Sequence, residues 1–218
     1  MPKQFDLLVF DWDGTLMDSA GAISYSIQAA SRDMGLSVPG ENEARHIIGL
    51  GLNEAIAALF PDLPRSDYGA LVDRYRHHYL SRDMEIPLFG GVAETIAALH
   101  EEGFLLAVAT GKGRRGLDSV LECTGLGKYF HSSRCADECF SKPHPCMLLE
   151  LMAEFGVSPA KTLMIGDTSH DLLMADNAGV SAIGVCYGAH PRDSLKALSP
   201  LVCVENFGEL SRWLSAHA

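Results

Sequence analysis

The chain has 218 residues, of which 47% are apolar and 21% are charged, and its formal net charge is −11. This composition is typical of a globular domain and excludes a largely disordered chain. The negative charge disfavours nucleic acid and anionic membrane surfaces as partners, because both would be repelled. A small anionic substrate stays compatible, since a bound cation and a few basic side chains can invert the field inside one cleft.

The chain carries no apolar run close to the ~20 residues that span a bilayer. Its N-terminal segment lacks the apolar core and cleavage site of a secretory signal. We therefore expect a cytoplasmic protein without a membrane partner, in which the six cysteines are reduced thiols. A monomer and a homodimer both remain open.

The first apolar run, Leu7–Phe10, predicts a buried strand with two aspartates at its end, Asp11 and Asp13. Gly14 follows and permits a sharp turn. Two carboxylates this close repel each other unless a positive charge lies between them. A hard cation that prefers oxygen ligands, such as Mg²⁺, is the simplest candidate.

The next 70 residues contain no convincing strand and predict a small helical cap inserted after the first strand. The predicted helices are Ala20–Met34, Glu41–Ile48, Leu52–Phe60 and Asp67–Arg82. We accordingly expect two units: a core domain formed by residues 1–15 and 86–218, and a cap domain formed by residues 16–85.

The rest of the chain alternates between strand-like and helix-like stretches. The strand-like runs are Phe104–Ala109, Leu163–Ile165, Ala182–Tyr187 and Leu201–Val204. The helix-like stretches are Val92–Glu102, Arg114–Thr124, Pro145–Phe155, Leu172–Ala178 and Glu209–Leu214. Because the strand-like runs are continuously apolar, we expect strands that are covered on both faces. The alternation predicts an α/β fold with a Rossmann-like parallel sheet.

Ligands of open α/β sheets bind beyond the carboxyl ends of the strands, so the residues at these ends are the candidates for a site. They offer four carboxylates, a hydroxyl, ammonium groups and glycines. These residues are Asp11, Asp13, Thr110, Gly111, Lys112, Lys142, Gly166, Asp167 and Asp171. This set of groups favours metal-assisted phosphoryl transfer.

Four sequence elements occur in a characteristic order. They are Asp11-Trp12-Asp13-Gly14-Thr15, then Thr110, then Lys142-Pro143, then Gly166-Asp167 with Asp171. In these elements the chain resembles the haloacid dehalogenase superfamily, specifically its phosphoglycolate-phosphatase-like branch with a helical cap, over nearly its whole length. The resemblance implies a Mg²⁺-dependent phosphatase that hydrolyses a small phosphorylated metabolite, a phosphomonoester, through an aspartyl-phosphate intermediate.

The resemblance also implies a role for each core residue. Asp11 would be the nucleophile, Asp13 the general acid and base, and Lys142 the cation that neutralises both phosphate and nucleophile. Mg²⁺ would be held by Asp167, by the Asp11 carboxylate and by the backbone carbonyl of Asp13. Asp171 would orient a metal-bound water, or would cap the helix that follows it.

The resemblance implies less about the roles of the remaining candidate site residues. Thr110 and the Gly111 amide would bind phosphate oxygens near the start of a helix. In the cap, Arg45 and Gly49 resemble part of the substrate-specificity loop of the family. Three further basic residues at a predicted helix start, Lys112, Arg114 and Arg115, either face an anion or are solvated.

Several alternatives stay open. A sugar-phosphate mutase would use the same phospho-aspartate chemistry, and a non-catalytic binding module on the same scaffold is a different class. Asp13 disfavours dehalogenation, and the absence of lysine between residues 16 and 85 disfavours Schiff-base cleavage of phosphonates. A structural zinc site would use a separate group of four residues. These are Cys135, Cys139, His144 and Cys146.

Overall fold

The computed structural model of the chain describes residues 3–81 and 86–218. The predicted cap boundary at residue 85 and the predicted helix end at Arg82 lie outside the described residues. Within the described part of the chain, no helix is both long enough and apolar enough to cross a membrane.

Six parallel strands form one sheet in the order β3-β2-β1-β4-β5-β6. The strands are β1 (Leu7–Phe10), β2 (Leu105–Thr110), β3 (Ser132–Cys135), β4 (Thr162–Gly166), β5 (Ser181–Val185) and β6 (Val202–Val204). The predicted α/β fold with a parallel, Rossmann-like sheet is thus confirmed. Strand β1 lies in the centre of the sheet between β2 and β4, so the residues that follow β1 lie between the carboxyl ends of these two strands.

Helices cover both faces of this sheet. One layer consists of α5 (Val92–Glu101), α6 (Arg114–Thr124) and α10 (Phe207–His217), and the other of α7 (Cys146–Phe155), α8 (Ser169–Asn177) and α9 (Arg192–Lys196). Along β1, Leu8 and Phe10 enter the first layer, whereas Leu7 and Val9 enter the second. All four side chains are buried, which explains why the run is apolar throughout.

Among the described residues, four α-helices lie between β1 and α5. They are α1 (Ala20–Asp33), α2 (Glu41–His46), α3 (Leu52–Leu59) and α4 (Tyr68–Leu80). These helices share an apolar cluster of their own, which includes Ile27, Ile56 and Leu71. The chain enters and leaves this cap through paired segments, where Met17 bridges to Leu88. The four cap helices predicted from sequence are therefore present, and the division into two domains stays a prediction.

The sequence analysis missed strand β3 and helix α9. Strand β3 reads Ser-Ser-Arg-Cys and lies at the edge of the sheet, where its polar side chains meet solvent, so it carries no apolar run. Helix α9 spans five residues and buries one large apolar side chain, Leu195, which is too short a pattern to detect.

Candidate active site

The carboxyl ends of three adjacent strands bring the predicted residues together. The register pairs Phe10 with Val108 of β2 and with Ile165 of β4. The Asp11 amide donates to the Ile165 carbonyl at 2.9 Å, which extends the ladder by one residue. As a result, the segments that carry Asp11, Thr110 and Asp167 end at the same edge of the sheet.

Lys142 forms the centre of a buried ion-pair network. Its Nζ donates to Asp11 Oδ1 at 2.7 Å and to Asp171 Oδ1 at 2.6 Å. All three side chains are at least 99% buried. Charged groups are buried in this way only when they are paired, and here one ammonium serves two carboxylates.

The start of α8 orients Asp171. Thr168 is the N-cap residue, its hydroxyl donates to Asp171 Oδ2 at 2.7 Å, and its amide donates to the same oxygen at 3.0 Å. This is a capping box, in which the N-cap and third residues of a helix satisfy each other. Asp171 therefore stabilises the helix start and presents its other oxygen to Lys142, so it is the third helical residue and not the N-cap.

Asp167 is held by groups from two other loops. Its Oδ1 accepts from the Thr15 hydroxyl at 3.0 Å, and its Oδ2 accepts from the Ala189 amide at 2.7 Å. Gly14 packs against this carboxylate so closely that a Cβ at position 14 would lie 2.2 Å from Asp167 Oδ2. The turn after Asp13 thus needs glycine, both for this contact and for its φ of +81°.

Burial strongly perturbs these groups. It raises the pKa of Asp11 well above the ordinary value, although the charge of Lys142 opposes this. Burial also raises the pKa of Asp167 to about 7, and the charge of Asp171 adds to the effect. Burial lowers the pKa of Lys142, but the charges of Asp11 and Asp171 outweigh it and raise this pKa above its ordinary value. The cluster therefore lacks positive charge.

The same carboxylates fit a divalent cation. Oxygens of Asp11, Asp167 and Asp171 lie within 4.8 Å of one another. Three carboxylates face one ammonium, that of Lys142, and Asp11 Oδ2 is buried without a hydrogen-bond partner among the described residues. Carboxylate oxygens are the ligands that Mg²⁺ prefers. The residues present therefore match the predicted cofactor, while the identity of the metal stays a prediction.

Asp13 lies beside this cluster and faces the cap. Its Oδ1 accepts from the Ser19 hydroxyl at 2.7 Å and pairs with Lys112 Nζ at 3.0 Å. Lys112 Nζ also donates to the hydroxyl of Tyr79 in α4 at 3.0 Å. The carboxylate of Asp13 is not part of the group formed by the other three aspartates. This agrees with the expectation that Asp13 would contribute its backbone carbonyl, and not its carboxylate, to the metal, and the contact of that carbonyl stays a prediction.

The two predicted phosphate-binding residues lie at the end of β2. Thr110 is fully buried, and its hydroxyl accepts from the Lys112 amide at 3.1 Å. A Cβ on Gly111 would lie 2.6 Å from the carbonyl oxygens of Gly49 and Leu50. Gly111 thus allows the cap loop to approach the core backbone, and phosphate binding by Thr110 and Gly111 stays a prediction.

The cap is closed over the core through this loop. The Gly51 amide donates to the Ser141 hydroxyl at 2.8 Å, beside Lys142. Arg45 pairs with Glu41 at 2.8 Å and reaches the Gly188 carbonyl at 3.4 Å, so it contacts the core. Gly49, but not Arg45, lines the cavity in front of Asp11, and both roles in specificity stay predictions.

That cavity extends from the aspartates into the cap and has a volume of about 490 Å³. Asp11 and Asp13 lie at its inner end, and residues of α1, α3 and α4 form much of its wall on the cap side. Its volume lies within the ~300–1,000 Å³ that is usual for small-molecule sites. The aspartates thus open onto a substrate-sized space.

The structure separates the remaining basic candidates. Lys112 meets Asp13, and Arg115 lines the cavity with an exposed side chain. Arg114 instead pairs with Glu138 at 2.7 Å, and this hydrogen bond raises the pKa of Arg114. It is a structural residue of the β3 edge.

The predicted zinc-binding group is not assembled. Cys139 and Cys146 lie with Glu150, whereas Cys135 and His144 do not join that group. Cys135 is a buried thiol whose pKa is raised to about 12 by burial. The alternative of a zinc site on the four predicted residues is therefore wrong.

The sequence analysis assigned no role to four residues that support the site. Thr15, Ser19 and Thr168 donate hydrogen bonds to Asp167, Asp13 and Asp171, and Tyr79 accepts one from Lys112. The spacing of Thr168 to Asp171 matches a capping box, which is a local signal. The contacts of Thr15 and Tyr79 join segments that are distant in the chain, so spacing does not reveal them.

Comparison with known proteins gives consistent matches over most of the chain. The sequence model of a family described as haloacid dehalogenase-like hydrolase matches residues 8–185. A probable phosphatase, IndB, of Dickeya dadantii is 39% identical over 210 residues, which are 94% of this chain and 91% of that protein. A phosphoglycolate phosphatase of Agrobacterium fabrum is 32% identical over 211 residues, covering 94% of this chain and 90% of the relative.

Among solved structures, the crystal structure of a predicted phosphoglycolate phosphatase from Haemophilus somnus superposes with a TM-score of 0.82 at 26% identity. The superposition covers 97% of this chain and 99% of that one. The match includes the cap helices as well as the sheet, so the whole architecture is shared.

Proposed function

Because the chain belongs to the haloacid dehalogenase-like hydrolase family and is a phosphatase, we propose that it hydrolyses a phosphomonoester with Mg²⁺ through a phosphorylated Asp11. The observation that carries this proposal is the environment of Asp11. Its carboxylate is buried and paired with Lys142, and it has one oxygen without a hydrogen-bond partner among the described residues.

Asp11 would act as the nucleophile in the first step. One of its carboxylate oxygens attacks phosphorus, the bond from phosphorus to the ester oxygen breaks, and an aspartyl phosphate forms. Asp13 gives a proton to the departing alcohol, for which its position beside Asp11 in the wall of the cavity is suitable. In the second step Asp13 takes a proton from water as that water attacks phosphorus, and Asp11 is regenerated.

Lys142 would keep Asp11 ionised and in place, since its ammonium opposes the effect of burial on the Asp11 carboxylate. Bound Mg²⁺ would be held by Asp11, Asp167 and the Asp13 carbonyl, and would supply positive charge for the phosphate oxygens. Thr110 and the Gly111 amide would bind the phosphate from the end of β2. The closed cap would keep bulk water from the phosphorylated aspartate.

The names of the relatives make phosphoglycolate the first candidate substrate. No feature of the described residues favours the mutase alternative, and the family match and relatives show an enzyme and not a non-catalytic module. Cytoplasmic location and the choice between monomer and homodimer stay predictions.

The test compares two variants of the same residue type. Asp11→Asn removes the nucleophilic charge but keeps the shape, whereas Asp6→Asn alters an exposed aspartate just before β1. With Mg²⁺ and an aryl phosphate, we expect phosphate release by wild type and by Asp6→Asn and none above background by Asp11→Asn. Circular dichroism checks the folding of each. Chelation should abolish release, and added Mg²⁺ should restore it.

Full turnover by Asp11→Asn would refute the role of Asp11 as the nucleophile. Full turnover by a sample shown to be metal-free would refute the metal dependence.

A further inference from the structure

The cap side of the active-site cavity is mainly aliphatic, although Tyr75, Arg76 and Tyr79 of α4 also line it. Its wall there is formed by aliphatic side chains from three helices, including Ile23 and Ile27 of α1, Ala55 and Ile56 of α3, and Leu71 of α4. All five are at most 7% exposed, so this wall belongs to the interior of the cap. An aliphatic wall of this kind favours contact with a hydrocarbon group over contact with water, because burial of apolar surface is favourable. The cavity, with a volume of about 490 Å³, has room for such a group.

The charged groups of the cavity lie at its two ends. Asp11, Asp13 and Lys112 are at the inner end, where Lys112 is paired with Asp13. Arg76, Arg115 and Asp137 line the cavity with exposed side chains, so they mark the end that meets solvent. A carboxylate seated against the aliphatic wall would lose its hydration without gaining a partner there.

From this distribution we propose that the cavity is a leaving-group subsite for phosphomonoesters of apolar alcohols, with an alkyl or aryl body of several carbons. The phosphate would lie at Asp11, and the hydrocarbon would replace water along the aliphatic wall. This inference rests on the proposed phosphatase mechanism and narrows its substrate class. Although the names of relatives make phosphoglycolate the first candidate, the aliphatic wall predicts that this compact ester, which carries a carboxylate beside its phosphate, is hydrolysed less efficiently than an ester with a hydrocarbon body.

A ladder of n-alkyl phosphates from methyl to hexyl tests the subsite with the wild-type protein and Mg²⁺. Their alcohols differ little in acidity, so changes in kcat/KM report the binding of the chain. Burying one methylene corresponds to about a fourfold gain. We expect kcat/KM to rise about fourfold per carbon until the cavity is filled, and phosphoglycolate to fall below hexyl phosphate.

A matched pair of variants on α3 locates the effect. Ala55→Leu adds bulk inside the cavity, whereas Ala57→Leu makes the same change at an exposed position of the same helix. We expect Ala55→Leu to lower the ratio of hexyl to methyl kcat/KM at least tenfold, and Ala57→Leu to keep the ratio of wild type. Circular dichroism checks that both variants fold, and the wild-type ladder stands if one does not.

The outcomes separate this inference from the proposed function. A flat or falling ladder, with phosphoglycolate preferred, overturns the apolar subsite and leaves the phosphatase mechanism intact. Wild-type protein that releases phosphate from none of the esters, with folding and bound Mg²⁺ verified, overturns both. A rising ladder whose slope Ala55→Leu does not change overturns the assignment to this cavity.

Discussion

The buried ammonium of Lys142 offers the sharpest test of the site as a piece of structure. Replacing it in Lys142→Met keeps a side chain of comparable length but removes the charge that Asp11 and Asp171 share at 2.7 and 2.6 Å. Both carboxylates would then be buried against each other, because each is at most 1% exposed. Breaking a buried ion pair from one side costs about 3–5 kcal/mol.

We therefore expect the free energy of unfolding of Lys142→Met to fall by about 3–5 kcal/mol at neutral pH in the presence of chelator. The measurement is urea unfolding followed by circular dichroism. Arg192→Met is the control, since Arg192 pairs with Glu205 at 2.8 Å while both side chains are nearly half exposed. Such a pair contributes about 0–1 kcal/mol.

Mg²⁺ provides a second comparison for the same variant. A divalent cation would neutralise Asp11 in place of Lys142, so Mg²⁺ should stabilise Lys142→Met more than it stabilises wild type. The reasoning is refuted if Lys142→Met loses no more stability than Arg192→Met, because the buried ion pairs of Lys142 would then contribute no more than an exposed ion pair.

Two further predictions concern packing and pH. Gly14→Ala should abolish Mg²⁺-dependent phosphate release, because the added Cβ would collide with Asp167. Gly35→Ala is the control, since Gly35 has a similar φ of +65° but open space around it, and it should lose only about 1–2 kcal/mol of unfolding free energy and keep its activity. Equal activity of the two variants would contradict this prediction. A hydrogen bond from Arg114 lowers the pKa of Glu138 below its ordinary 4.5, so this carboxylate stabilises the fold above about pH 4.5 and loses its contribution as pH falls through the lowered value. The difference in unfolding free energy between wild type and Glu138→Gln should therefore shrink on acidification, and a difference independent of pH would contradict the assignment.

Most of the fold was readable from the sequence because its signals are local. The apolar run of Leu7–Phe10 and the helical periodicity of α1–α4 predicted elements that the structure contains. Strand β3 gave no such signal, since an edge strand that reads Ser-Ser-Arg-Cys needs no apolar face.

The residues of the site also divide into those that a local sequence signal marks and those that it does not. Asp11 and Asp167 follow apolar strands and were found from that position alone. Lys112 was a candidate to face an anion, but its pairing with Asp13 could not be found, because the two residues lie in loops that are far apart in the chain. Nor does spacing along the chain reveal a cavity, since its volume depends on how far the cap helices stand apart.

The position of Lys112 has a consequence for the timing of catalysis. This ammonium joins the cap hydroxyl of Tyr79 to the core carboxylate of Asp13. Under the proposed mechanism Asp13 is the proton donor, and opening of the cap to admit an ester would carry Tyr79 away from Lys112. The same opening would change the electrostatic surroundings of Asp13, so that substrate entry and proton transfer would be coupled through one side chain.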